Sequence, residues 1–266
     1  MKRIALGLAG LVLCAASHAA TPAGWWNDIA NDRASSVQTM LARGADPNAV
    51  SPQGQPAIMQ AIRSGAWDVY EILARNPKTN LNITNANDET PLMYLAVVGE
   101  TARAQTLIKR GAQVNRLGWT PLQYAASKGH LETVQMLLAN QAIVNAPGPD
   151  GTTALMMAAL SGKQPVVQAL LDAGADPTMV NLKKQDAAFW ARLRGHDALA
   201  DKIDALTKRI LADRRALRAG TGAASQAPTP AVDLDAPSPQ SRQPAARTDS
   251  STSKYFDLDR FEKEDD

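Results

Sequence analysis

Histidines, cysteines and paired carboxylates are the residues from which a catalytic or metal site would be built, and this sequence has few of them. Past the first 20 residues there are two histidines, His130 and His196, and no cysteine; Cys14 sits inside an apolar opening run. Each of the two follows a glycine between two helical patterns, and neither has a second histidine or a cysteine at ligand spacing. No Gly-x-Ser-x-Gly, His-Glu-x-x-His or phosphate-binding glycine loop occurs. Asp150-Gly151 and Asn87-Asp88 read as turn residues whose side chains cap the backbone, and they form no acid–base pair. The expectation is a protein without catalytic residues, metal or cofactor. The competing reading is an enzyme or metal-binding protein with an unrecognised site, and assays for turnover and bound metal would separate the two.

The elements around these residues form a repeat. In Thr120-Pro121-Leu122-Gln123-Tyr124-Ala125-Ala126-Ser127-Lys128-Gly129 the threonine offers an oxygen to free first-turn amides, and the proline is preorganised for a first helical position. Two small alanines allow a close neighbour, and Gly129 ends the helix. Leu131, Val134, Leu137 and Leu138 then give a second helix an apolar face. One such helix-turn-helix unit cannot bury its own face, so more are required. They recur at Pro56, Thr90 and Thr153, with spacings of 34, 30 and 33. A second marker, Gly111-Ala112-Gln113-Val114-Asn115, returns as Gly44-Ala45-Asp46-Pro47-Asn48 and Gly174-Ala175-Asp176-Pro177. Projection of the period places a degenerate first unit near Ala23 and a closing unit from Asp186, with Gly195 ending its first helix.

The registered Thr-Pro-Leu, paired alanines and Gly-Ala-Asp over roughly 23 to 206 resemble the ankyrin repeat family. The resemblance implies an all-α solenoid of stacked helix-turn-helix units with short loop fingers, in units near 23–50, 51–83, 84–115, 116–146, 147–180 and 181–218. Met59, Met93, Gln123 and Met156 stand where that family has histidine, so the inter-repeat hydrogen bonds of that histidine are left open, with methionine able to fill the volume. The resemblance also implies a concave side lined by loop tips and first helices, and a role in binding protein. The partner-binding residues expected there are Arg63, Glu89, Val97, Val98, Arg116, Leu117, Trp119, Lys128 and Leu160. The sharpest of these expectations concerns Trp119. Asn115 to Thr120 spans five residues, whereas Asn145 to Thr153 and Asn48 to Pro56 each span eight. The shortened middle loop should leave a notch in which Trp119 and Leu117, with Val97, Val98 and Leu160, form an apolar patch; the other reading is that Trp119 folds over the loop and fills the gap.

The ends differ from the repeats. Met1-Lys2-Arg3, an apolar run from Ile4 to Ala16 and Ser17-His18-Ala19 read as a signal peptide, 1–20, cleaved after Ala19 or Ala20. That implies a periplasmic or secreted protein with no membrane span in the mature chain. Without Lys2 and Arg3 the basic and acidic residues are equal in number, which argues against nucleic acid as a partner. A monomer is expected. In the first unit Trp25, Trp26 and Ile29 read as an inner face, and in the closing unit so do Phe189, Trp190 and Leu193, with Arg192 and Arg194 outside. From Ala219 to Ser253 the chain is mostly Ala, Gly, Pro, Ser, Gln and Thr, so 219–266 reads as a disordered tail. Within it, 254–266 stands out for Tyr255, Phe256 and Phe261, a possible docking motif. The function expected is a non-catalytic interaction module. One variant of it, drawn from resemblance to other signal-bearing bacterial ankyrin proteins, is an accessory factor to a periplasmic oxidative-stress enzyme.

Overall fold

The computed structural model describes residues 21–220. The expected signal peptide, and all but the first two residues of the expected tail with its aromatic segment, lie outside them. The described residues form helices in pairs: α1 Trp25–Ala30 with α2 Ala34–Ala42, α3 Ala57–Arg63 with α4 Trp67–Arg75, and α5 Pro91–Val98 with α6 Thr101–Lys109. Then come α7 Pro121–Lys128 with α8 Leu131–Ala139, α9 Ala154–Ser161 with α10 Gln164–Asp172, and α11 Ala187–Leu193 with α12 Asp197–Arg218. Apart from one isolated bridge between Val50 and Pro56, no strand occurs among the described residues.

Four of the first helices begin with a side-chain cap. Thr90, Thr120 and Thr153 hold extended backbone, and each hydroxyl accepts from the amide three residues on, at 3.4 Å. Asp186 does the same for α11 at 2.8 Å. The reciprocal arm comes from the residue at the third helical position. Gln123 Oε1 accepts from the Thr120 amide at 2.8 Å, and the Met93 and Met156 sulfurs take the same place at 3.4 and 3.5 Å. Gly99, Gly129 and Gly162 close α5, α7 and α9 with φ of 77°, 75° and 68°, a conformation that costs a Cβ-bearing residue about 1 kcal/mol or more.

The helices stack in two rows. α3, α5, α7, α9 and α11 pack successively against one another, and α6, α8 and α10 form the second row beside them. The first row packs more tightly because its contact face is small: Ala96, Ala125, Ala126, Ala158, Ala159 and Ala191 are fully buried. Tighter packing in one row than the other bends the stack towards the first helices, giving them the concave side. The core between the rows is built from Leu92, Leu122 and Leu155 on the first helices and Leu107, Val134, Leu137, Val167 and Leu170 on the second.

An asparagine ladder fixes the register along the stack. Asn48 Nδ2 donates to Lys78 O at 2.8 Å, and its Oδ1 accepts from the Asn80 amide at 2.7 Å. Asn82 repeats this with Gly111 O and the Gln113 amide, Asn115 with Gln141 O and the Ile143 amide, and Asn145 with Gly174 O and the Asp176 amide. The next rung holds Thr178 instead, and Arg214 from the long α12 reaches back to cap it, donating to Thr178 Oγ1 at 2.8 Å and to Asp176 at 2.9 Å.

Two faces at the ends differ from the sequence reading. Trp25 and Ile29 are buried, but Trp26 is only half-buried. At the other end Trp190 is buried, whereas Phe189 and Leu193 are 41% and 39% exposed. Phe189 occupies the register position from which Gln123 reaches into the following unit; among the described residues no further unit follows α11 and α12, so the side chain is exposed. Arg192 lies outside and bonds Asp201 and Asp204 of α12.

Candidate functional site, a groove with a shortened finger

The loop fingers preceding the first helices share one turn. Ser51 N donates to Gln55 O and Gly54 N to Ser51 O; the same pair of bonds recurs at Asn85/Glu89 with Asp88, at Gly148/Thr152 with Gly151, and at Asn181/Gln185 with Lys184. Neighbouring fingers also join through the backbone, Ala86 N to Gly54 O at 3.3 Å and Leu182 N to Asp150 O at 2.8 Å. The middle finger is three residues shorter and makes its joins with side chains instead. Arg116 donates to the backbone oxygen of Asp88 and, at 2.8 Å, to the Asp88 carboxylate in the finger before it. On the other side the Trp119 ring covers Gly148 so closely that a Cβ there would sit 2.9 Å from it. The notch is thus filled from both sides, and Trp119 is half-buried. Leu117, at the tip, is 93% exposed.

The remaining expected residues divide by depth. Arg63 is exposed on α3; Val98, Lys128 and Leu160 are half-buried at the ends of α5, α7 and α9. Val97 and Glu89, expected on the binding surface, are each only 2% exposed, and this corrects their placement. Val97 is buried, and His130 Nε2 lies 3.0 Å from its carbonyl oxygen. Glu89 is drawn inward by its partners: the Tyr124 hydroxyl donates to Oε1 and Asn85 Nδ2 to Oε2 at 2.7 Å. The same Asn85 amide donates to the Tyr94 hydroxyl at 3.1 Å, and that hydroxyl donates to Gln55 Oε1 at 3.4 Å. A buried polar chain therefore runs under three successive fingers. Reading the sequence missed it, although Tyr94 and Tyr124 stand in register four residues after their unit starts.

The inter-repeat bonds left open by the missing histidine are made at one position. Gln123 Nε2 donates to Thr152 O at 2.7 Å and to Ala146 O at 3.2 Å, joining α7 to the next finger. His130 and His196 lie against Gly99 and Gly162 of the preceding units, so both are packed into inter-unit contacts. No cluster of potential metal ligands occurs among the described residues, and none of their helices is long and apolar enough to cross a membrane. What the arrangement offers is a recognition surface: a row of fingers with Leu117 at its middle, beside a row of half-buried helix ends.

Comparison with known proteins agrees with this geometry. A family model described as ankyrin repeats (3 copies) matches residues 28–117 and 104–181. The B-cell lymphoma 3 protein homolog of Mus musculus is 30% identical over 165 residues, covering 59% of this chain and 37% of the mouse protein. Ankyrin repeat and SAM domain-containing protein 6 of Rattus norvegicus is 31% identical over 112 residues, which is 41% of this chain and 13% of that protein. The chain thus spans well under half the length of these relatives. Among solved structures, an ankyrin repeat domain from Acinetobacter baumannii superposes with a TM-score of 0.58 at 27% identity, covering 69% of this chain and 97% of that one. The ankyrin repeat domain of Bcl-3, a member of the IkappaB protein family, gives 0.55 at 28% identity, covering 65% and 79%. This chain belongs to the ankyrin repeat family.

Proposed function

We propose that this protein is a non-catalytic binding module of the bacterial periplasm, which holds a protein partner along the concave row of fingers and first helices. Ankyrin repeats serve as protein-interaction modules, and that general role follows from the family. The observation carrying the finer reading is Leu117, a large apolar side chain 93% exposed at the tip of the one shortened finger. Val98, Lys128 and Leu160 are half-buried at the ends of the first helices, and Arg63 is exposed at the end of α3. Exposed apolar groups rimmed by polar ones mark interaction sites. The periplasmic assignment is supported by the Lys2-Arg3 head, the short apolar run and Ser17-His18-Ala19.

In-cell cross-linking followed by affinity purification and mass spectrometry tests the groove. The native chain should retain one defined periplasmic protein, and Leu117→Asp, which touches no core, should lower its recovery about tenfold with an unchanged melting temperature. Equal recovery by the variant would remove Leu117 from the site. For the compartment, amino-terminal sequencing of the native protein should begin near Ala20 or Thr21; an intact Met1 would refute export.

A further inference from the structure

Exposed apolar surface is concentrated at one end of the stack. Among the described residues nine large apolar side chains are exposed, and six of them, Val180, Leu182, Phe189, Leu193, Leu211 and Leu217, lie at or beyond Val180. None precedes Val50, so the first unit closes its end with polar residues and the half-buried Trp26. Terminal repeats need a covered or polar outer face for solubility. At the far end α12 supplies this for only half of the unit: Arg192 bonds to it, Thr207 donates to Pro177 O at 3.3 Å, and Arg214 closes the asparagine ladder. The other half, the outer face of α11 and its finger, keeps Phe189, Leu193 and Leu182 in solvent, beside the exposed cations Lys183, Lys184 and Arg194.

We infer that the segment Tyr255–Phe261 of this same chain covers that face as a detachable cap. Its chemistry matches the surface. Tyr255, Phe256, Leu258 and Phe261 supply apolar groups for Phe189 and Leu193. Lys254 to Asp266 holds six acidic residues against three basic, opposite in sign to Lys183, Lys184 and Arg194. Its reach matches as well. Leu193, at the end of α11, lies near the start of α12, and a helix of 22 residues carries the chain about 33 Å away before Gly220. The roughly 35 residues between Gly220 and Tyr255 give an r.m.s. span of about 30–35 Å on flexible-linker scaling, enough to return. Intramolecular docking at such an effective concentration needs only a modest contact. The cap binds the outer side of the last unit, not the concave row of fingers and first helices, so it leaves the groove open to a partner.

Hydrogen exchange on the full chain tests the cap. Replacing Tyr255, Phe256 and Phe261 with serine should speed exchange of amides in 181–195 by about tenfold and leave α5 and α7 unchanged, because the loss is local. The protection in the native chain should not depend on protein concentration. Conversely, Phe189→Asp should free the segment, and trypsin should cut after Lys254 and Arg260 about tenfold faster than in the native chain. Identical exchange in native and serine-substituted chains would overturn the proposal. Protection that disappears on dilution would overturn it too, by making a second copy the occupant of that face.

Discussion

At position 119 one side chain does the work that three additional residues do in the other fingers. The Trp119 ring lies on Gly148 and takes the space of the missing turn, so its removal uncovers the next finger as well as its own. Trp119→Ala should cost about 2 kcal/mol, less than a fully buried tryptophan because the ring is half in solvent, and urea unfolding would measure it. An unchanged unfolding free energy would mean that the ring does not hold the gap. A second residue-scale effect is electrostatic. The Ser36 hydroxyl donates to Asp28, and with Arg33 it outweighs the burial that raises the Asp28 pKa, holding the carboxyl below its usual range. A group whose folded pKa is lowered stabilises fully above its unfolded value of about 3.9, and that stabilisation is lost as pH falls through the folded one. Ser36→Ala should therefore lower the melting temperature at pH 6–7, and the gap from the native chain should close towards pH 2. A gap constant with pH would show that the bond matters only by packing.

The unit at the scale of elements is a first helix together with the finger that follows it. Gln123 joins the two: its oxygen completes the cap of α7, while its nitrogen holds the Ala146 and Thr152 carbonyls at the next finger. It is wholly buried, so truncation leaves the Ala146 carbonyl and the Thr120 amide without partners and Thr152 O with only the Gly148 amide. Gln123→Ala should destabilise by about 2–4 kcal/mol, whereas Gln123→Met, which copies Met93 and Met156, should recover the cap and cost about 1–2 kcal/mol. Thermal unfolding of the two variants would order them; a methionine variant no better than alanine would contradict the sulfur cap. The close alanine contacts set the other limit on these elements, because the row in which Ala125, Ala126, Ala158 and Ala159 are buried has no room for a larger group.

For the whole molecule, stability propagates through neighbours, since each unit touches chiefly the one before and the one after it. The asparagine ladder runs the length of the stack and ends where Arg214 reaches back from the otherwise exposed half of α12. Arg214→Ala should therefore raise amide exchange in 176–180 and the last turns of α12 several-fold, with α5 and α7 unaffected. A uniform rise across all units would instead show that the stack unfolds as one block from any point.

The sequence by itself determined the period, the fold class and the helix ends, because those depend on local chemistry: a threonine before a helix, a glycine after it, apolar residues at helical spacing. It also revealed the short middle finger by counting alone. Only the tertiary structure decided what fills that notch, since the packing of Trp119 on Gly148 depends on a residue one unit away. The same holds for Val97 and Glu89. Their loop and helix-end positions suggested surface, yet Val97 is buried with His130 of the following unit on its carbonyl, and Glu89 is drawn inward by Tyr124 from the following unit. Phe189 and Leu193 show the reverse case. Their helical spacing marks an inner face, but a face is buried only if another unit stands against it, and among the described residues none does after the last one. Periodicity encodes which side of a helix is apolar; what covers that side is a property of the assembled stack.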